Sequence, residues 1–415
     1  MAWSWYPGRC TTTFTHSDEP IILETKSGLK RAFPELVKDT TPDCYLNPLL
    51  FNGHLQTAWT ATKADGPPIY YKRRVFSAED SNFAGHFTVD FATQPPDDPA
   101  TYEGLQEDPT GIGHLRFPPR TSYFSDKEFD NLASDDTKPL LITLHGLSGG
   151  SYEVYLRHVL APLIAETPEG RKAGGLSGGN WEALVVNSRG CAGSKITTSV
   201  LYNARATWDV RQVVKWARKT WPNRPIFGIG YSLGANILTN YVGEEADKCL
   251  LSAAVIVSNP WNLDVSSKTL KRTWIGLNVY SKAMGASLRK VFEKHQDELL
   301  KNTNLSLEDI QKVKYLHEFD REVQCKTWGY PTEDSYYKDA SSADTVLAVR
   351  IPTLCLHATD DPIASDEAVP YSEIRQNPYV VLCATNGGGH LSWFEWGGGR
   401  WHTRPVSTLS ASQFP

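Results

Sequence analysis

From Pro139 onward the chain alternates short unbroken apolar runs with longer stretches whose apolar residues recur every three or four positions. The runs are Leu140–Leu144, Ala183–Val186, Ile226–Gly230, Ala253–Val257, Thr353–His357 and Val380–Ala384, bounded by Gly, Pro, Asn or Asp. Runs this short and free of charge suit strands buried on both faces, and helical periods between them predict βαβ units around a parallel sheet. Val210, Val213, Val214 and Ala217 put one apolar stripe on a crossover helix between the second and third strands. Another helix is expected over Ser151–Glu166.

The pattern elsewhere divides the chain. Residues 1–65 show no sustained period and are expected to form an irregular N-terminal lead-in. Between Asp65 and Thr137, the strand-like runs Tyr70–Phe76 and His86–Phe91 predict an antiparallel hairpin beside the Pro/Asp-rich segment Gln94–Pro99. The Gly-rich stretch Glu169–Asn180 reads as a surface loop without chemistry. Trp261–Val349 is longer than a crossover needs. It carries helical patterns over Val265–Leu300 and, after a cap at Ser306, over Leu307–Val323. The expected division is a lead-in (1–65), a core (66–260 and 350–415) and an inserted helical cap (261–349).

Charge and composition narrow the function. The 415 residues carry 42 basic and 47 acidic side chains, a net charge of −5. Nothing there neutralises a phosphate backbone, so nucleic acid is not an expected partner. Hydrophobic residues make up 40% and charged residues 21%, the mix of a folded globular protein. The apolar runs fall short of the roughly 18 to 20 residues of a membrane span, and Met1–Cys10 lacks a basic region followed by an apolar stretch. No transmembrane segment is expected. The expected location is the cytoplasm, with the periphery of lipid droplets or membranes as the alternative. Seven cysteines without C-x-x-C spacing describe neither a disulfide framework nor a zinc site. No metal or cofactor is expected, since the glycines after Gly228 do not follow the dinucleotide-binding spacing.

Three segments match G-x-S-x-G, centred on Ser148, Ser177 and Ser232. A nucleophilic serine needs a tight turn from a buried strand straight into a helix, which lifts Oγ above the sheet and aims backbone N–H groups at a developing oxyanion. Ser232 meets this, because Ile226–Gly230 reads as a strand and Leu233–Leu238 continues as a helix. Ser148 is followed by two further glycines that loosen its turn. Ser177 has no strand before it.

A serine needs a base, and the base needs an acid that fixes its tautomer. In such sheets they follow in the order Ser, Asp/Glu, His on loops after later strands. Asp361 is the acid of choice, with its neighbour Asp360 as the alternative. His390 is the expected base, carried on Gly387–Gly389, with His357 and His402 as rivals. The oxyanion donors expected are the backbone N–H groups of Leu233 and Leu147, and His145 is expected to hold the second loop.

Together, His145-Gly146-Leu147-Ser148-Gly149-Gly150, Asn187–Ser194, Gly228–Asn236, Asp360-Asp361-Pro362 and Gly388-Gly389-His390 resemble the α/β-hydrolase family that includes fungal medium-chain fatty acid ethyl ester synthase/esterases and mammalian abhydrolase-domain phospholipases. Asn52–Thr57, Glu318–Asp320 and Tyr336–Ser342 share the resemblance, which runs from about Leu46 to Pro405. It implies an α/β-hydrolase fold, a mostly parallel doubly wound sheet with an inserted helical cap. It also implies a serine-dependent acyl ester hydrolase or O-acyltransferase with Ser232, Asp361 and His390 as its triad. The implied substrates are medium-chain acyl esters or thioesters such as acyl-CoA, with water or an alcohol as acceptor. The mammalian members carry an N-terminal membrane anchor, which is not expected for this chain, and none of the eleven histidines begins an H-x-x-x-x-D acyltransferase box. The rival readings are cleavage of a thioester or carbon–carbon bond in a polyketide-like metabolite, or a non-catalytic ligand-binding shell.

Overall fold

The computed structural model describes residues 8–24, 28–62, 66–94, 96, 118–165, 181–301 and 304–406. The Glu169–Asn180 loop with Ser177, and Pro95 and Asp97–Pro99 of the preceding Pro-rich segment, lie outside the described residues. One sheet of ten strands organises the rest. In chain order these are β1 (Thr12–His16), β2 (Tyr70–Ser77), β3 (His86–Thr93), β4 (Thr121–Tyr123), β5 (Leu140–Leu144), β6 (Glu182–Asn187), β7 (Ile226–Tyr231), β8 (Ala253–Val257), β9 (Thr353–Ala358) and β10 (Val380–Thr385). Their order across the sheet is β1-β10-β9-β8-β7-β5-β6-β3-β2-β4.

The six strands read from apolar runs form the parallel centre, β6 to β10 by way of β5. They are buried because helices cover both faces. Successive side chains point to opposite sides, so Ile142 and Leu144 join one apolar cluster while Leu141 joins the other. The Val210/Val213/Val214/Ala217 stripe buries against the first face within the helix Trp208–Thr220.

The flanks are antiparallel except for the outermost pair, β2 with β4, which is parallel. β2 and β3 form the expected hairpin, and β3 pairs antiparallel with β6. The lead-in is not irregular throughout: Thr12–His16 pairs antiparallel with β10 across more than 360 residues of chain. No period announces such a strand, because its partner alone defines it. Arg73 of β2 clasps Asp90 of β3 through two hydrogen bonds of 2.6 and 2.8 Å, and Ser151 and Asn187 donate to the same carboxylate. That buried cluster ties the hairpin to the loop leaving β5 and to the end of β6.

Residues 261–349 lie between β8 and β9 and are mostly helical. The expected helix over Val265–Leu300 is broken. Leu263–Arg272 ends at extended Thr273, and a π-turn, Gly276–Ser281, precedes Lys282–Leu299. Ser306 caps a helix as expected, accepting from the Asp309 N–H, but that helix stops at Lys312. A second π-turn, Asp320–Cys325, follows Leu316–Phe319.

Candidate active site

Ser232 stands at the carboxyl edge of the sheet, directly after β7 and before the helix Leu233–Glu245. Its N–H donates to the Val257 carbonyl at the end of β8, 2.9 Å away. Its backbone is strained, with φ +52° and ψ −119°, a conformation that persists only when the surroundings dictate it. The surroundings do so at Gly234, where a Cβ would lie 2.5 Å from the carbonyl oxygens of both Leu144 and His145. Helix and strand meet too closely for any side chain there.

His390 Nε2 lies 2.8 Å from Ser232 Oγ, so the hydroxyl donates to the imidazole. On the other side of the ring, Nδ1–H donates to Asp361, 2.8 Å from Oδ2 and 3.1 Å from Oδ1. The Asp361 carboxylate is fixed in turn by the N–H groups of Ile363 and Ala364, at 2.8 and 2.9 Å, folding the Asp-Pro turn back on itself. Asp360 does something different: its Oδ1 accepts from the Gly389 N–H at 2.9 Å and so holds the loop that carries His390. Burial raises the Asp360 pKa above the ordinary carboxylate value. The rival histidines sit elsewhere. His357 is buried in β9 with Asp366 3.4 Å away, and His402 is buried edge-on to the Tyr231 ring.

Two tyrosines, not weighed from sequence, shape the loop after β5. The N–H of Gly146 donates to the Tyr155 hydroxyl at 2.9 Å and that of Ser148 to the Tyr202 hydroxyl at 3.1 Å. Between them the Leu147 N–H has no partner among the described residues, and the same holds for the Leu233 N–H in the first turn of its helix. Leu147, Leu233 and Ser232 line one cavity. His145 holds this loop, since its Nδ1–H donates to the Gly146 carbonyl at 2.7 Å and its Nε2 accepts from the Ser188 N–H at 3.0 Å. Burial pushes its pKa down to about 4, keeping the ring neutral.

Residues 139–395 match the α/β hydrolase fold family. The chain belongs to the α/β-hydrolase family. This α/β-hydrolase is 36% identical over 397 residues to a monoacylglycerol lipase of Saccharomyces cerevisiae, a match covering 93% of the chain and 82% of the yeast protein. It is 31% identical over 393 residues to the medium-chain fatty acid ethyl ester synthase/esterase 2 of the same yeast, covering 87% and 84%. It is 33% identical over 261 residues to the mouse phospholipase ABHD3, covering 62% and 59%.

The hydrolase also recruits its lead-in to the site. The helix Gly53–Thr62 places Thr57 Oγ1 2.9 Å from the His390 N–H, and its Gln56 accepts from the Phe394 N–H at 2.8 Å. Gly389, at φ +61°, would carry a Cβ 2.6 Å from the Gly53 carbonyl. The sequence signal for this support was Asn52–Thr57 itself, which carries the family resemblance without showing what it touches.

Proposed function

We propose that this protein is a serine ester hydrolase of lipase or esterase type, in which His390 deprotonates Ser232 for attack on an acyl carbonyl. The observation that carries the reading is the unbroken hydrogen-bond chain from Ser232 through His390 to Asp361. Asp361 holds the Nδ1–H tautomer and stabilises the imidazolium that forms when the ring takes the proton. The free N–H groups of Leu147 and Leu233 receive the oxyanion, aided by the positive end of the helix behind Ser232. Collapse expels the alcohol, which takes its proton from His390 and leaves an acyl-serine. Water, or an acceptor alcohol, then gives up its proton to His390 and releases the acyl group.

Two cavities open on Ser232, and their linings support a division of labour. One is bordered by Leu147, Leu233, Leu263, Leu270 and Leu288 and is mostly apolar, which suits an acyl chain. The other includes His390, Glu153 and Ser287. The leaving alkoxide must meet His390, so this second cavity is the alcohol side. Its polar groups favour a hydroxylated alcohol such as glycerol, in keeping with the name of the yeast lipase. A medium-length acyl chain and transfer to an alcohol form the second reading, favoured by the yeast ester synthase/esterase. Residues 261–349 act as a cap supplying one wall of the acyl cavity. No helix among the described residues is long and apolar enough to cross a membrane.

The test is a fluorophosphonate probe followed by peptide mass mapping, beside hydrolysis of monooctanoylglycerol and p-nitrophenyl octanoate with and without added ethanol. The expected adduct is on Ser232, and Ser232→Ala is expected to lose both labelling and at least about 10⁴-fold in kcat. Labelling that survives this substitution sinks the assignment. Ethyl octanoate among the products establishes transfer, and octanoic acid alone establishes hydrolysis.

A further inference from the structure

The acyl cavity is not apolar throughout. Its lining includes Ser266, Asp320 and Gln324, all from residues 261–349. Gln324 is 3% exposed. Its amide N–H donates to the Tyr202 carbonyl at 3.1 Å, which fixes the orientation of the amide, and its Oε1 has no hydrogen-bond partner among the described residues. Ser266, on the helix Leu263–Arg272, is 5% exposed and its Oγ likewise has no partner among the described residues. Asp320 accepts from the Tyr337 hydroxyl at 2.6 Å, and burial pushes its carboxyl pKa up to about 7, so near neutrality the group is available both as acid and as carboxylate.

Asp320 and Gln324 share the π-turn Asp320–Cys325, a widened form of helix that is frequent at functional sites. A buried polar atom left unpaired is destabilising, and a cavity wall meant only for hydrocarbon would carry none. Leucine at position 324 would remove the unpaired oxygen, at the loss of the one hydrogen bond that the amide N–H gives the Tyr202 carbonyl. Both residues line a cavity that already leads to the nucleophile, so a ligand group that completes these atoms would be part of the acyl chain itself.

We propose that Gln324 and Ser266, together with Asp320, form a polar floor in the acyl cavity that hydrogen-bonds a hydroxyl group on the acyl chain, so that hydroxylated acyl esters are the preferred substrates. This rests on the ester-hydrolase reading of Ser232. Sites that hydrogen-bond a substrate hydroxyl discriminate strongly against the analogue lacking it, because their polar groups are then left buried and unpaired.

The experiment compares p-nitrophenyl octanoate with its mid-chain and terminally hydroxylated counterparts on the full chain and on Gln324→Leu. At least one hydroxylated ester is expected to exceed the plain ester tenfold or more in kcat/KM. In Gln324→Leu that ratio is expected to fall at least tenfold, through a faster plain ester as well as a slower hydroxylated one. Ser266→Ala serves as the second variant if Gln324→Leu does not fold. A ratio near one on the full chain, or one that neither variant moves, overturns the proposal. Calorimetric binding of octanoic and hydroxyoctanoic acids to Ser232→Ala separates the two readings. A Gln324-dependent preference for the hydroxylated acid, with no ester turned over by the full chain, upholds the polar floor and removes the hydrolase reading. Turnover of the plain ester with no such preference does the reverse.

Discussion

The loops around Ser148 and Ser232 share the G-x-S-x-G pattern, follow neighbouring parallel strands at the same edge of the sheet, and hold their serines at the same φ of +52°. Pattern and strain therefore do not distinguish them. What differs is what each turn is built against. Around Ser232 the flanking Gly234 presses on backbone carbonyls, the serine N–H is tied to β8, and the hydroxyl meets an imidazole. Around Ser148 the N–H is tied to a tyrosine side chain, and the counterpart of Gly234, Gly150, would set a Cβ 2.7 Å from the Ala192 methyl and 2.8 Å from the Tyr152 ring, side chains where Gly234 meets backbone carbonyls, while a Cβ on Gly149 would meet the Glu153 side chain at 3.0 Å. The nucleophile's role proposed for Ser232 requires the backbone to be clamped from both sides and a base to be delivered. An oxyanion loop requires only that one amide be left free.

The delivery of the base is the largest difference to test. Asp361→Asn keeps the shape of the turn but offers an N–H where His390 needs an acceptor, so kcat is expected to fall about 10⁴-fold with little change in KM. Asp360→Asn, one residue away, retains an oxygen for the Gly389 N–H and is expected to cost about tenfold or less. Steady-state kinetics on the two variants decide it. Equal losses would mean that the loop bearing His390, and not the orientation of its ring, limits the reaction.

The clamps come next. Gly234→Ala sets a methyl group against two carbonyl oxygens that cannot turn aside, and the cost is expected to be about 3 kcal/mol or more, with activity lost in the folded fraction. Gly149→Ala displaces only a flexible side-chain end, so it should cost about 1 kcal/mol or less. Denaturant midpoints compare the two directly. A Gly234→Ala protein as stable as its Gly149→Ala counterpart would show that the elbow has slack.

Much of this contrast was legible in the sequence. Six apolar runs located the parallel strands, and the strand-to-helix context chose Ser232, which the structure sets beside His390, over Ser148; Ser177 lies outside the described residues. Asp361 and His390 were legible because chain order and strand ends put them at one edge. The roles of Thr57, Gln56, Tyr155 and Tyr202 were not, since a single side-chain hydrogen bond leaves no periodic trace, whether it spans nine residues, as from Gly146 to Tyr155, or 333, as from His390 to Thr57. The π-turns in residues 261–349 also escaped. Their apolar positions still recur at helical spacing, and only the packing of Gly276 and Asp320 shows where the helices widen.

The Ser148 loop should also respond to acid. His145 is neutral in the fold, with its pKa pushed by burial down to about 4 from an ordinary value of about 6.5. The unfolded chain binds the proton first, so this residue's contribution to stability is complete above about pH 6.5. It is lost as pH falls toward 4, by about 2 to 3 kcal/mol at most. In His145→Gln the drop in stability over that window should be shallower by that amount, as read from denaturant midpoints at pH 7 and pH 4.5. Parallel curves for the two proteins would mean that the loop does not depend on a neutral ring.

The smallest effect expected is that of Ser148→Ala. The bond that holds this turn, from the Ser148 N–H to the Tyr202 hydroxyl, belongs to the backbone and survives removal of Oγ. Alanine meets the same steric demand as serine at φ +52°, so the strain is unchanged. Expected values of kcat/KM stay within about threefold of the parent, and fluorophosphonate still labels Ser232, because neither the Leu147 amide nor the hydrogen bond to His390 has been touched. A loss approaching that of Ser232→Ala would mean that the two loops share the chemistry. The contrast between a clamped serine that reacts and a strained one that merely shapes an oxyanion loop would then have to be abandoned.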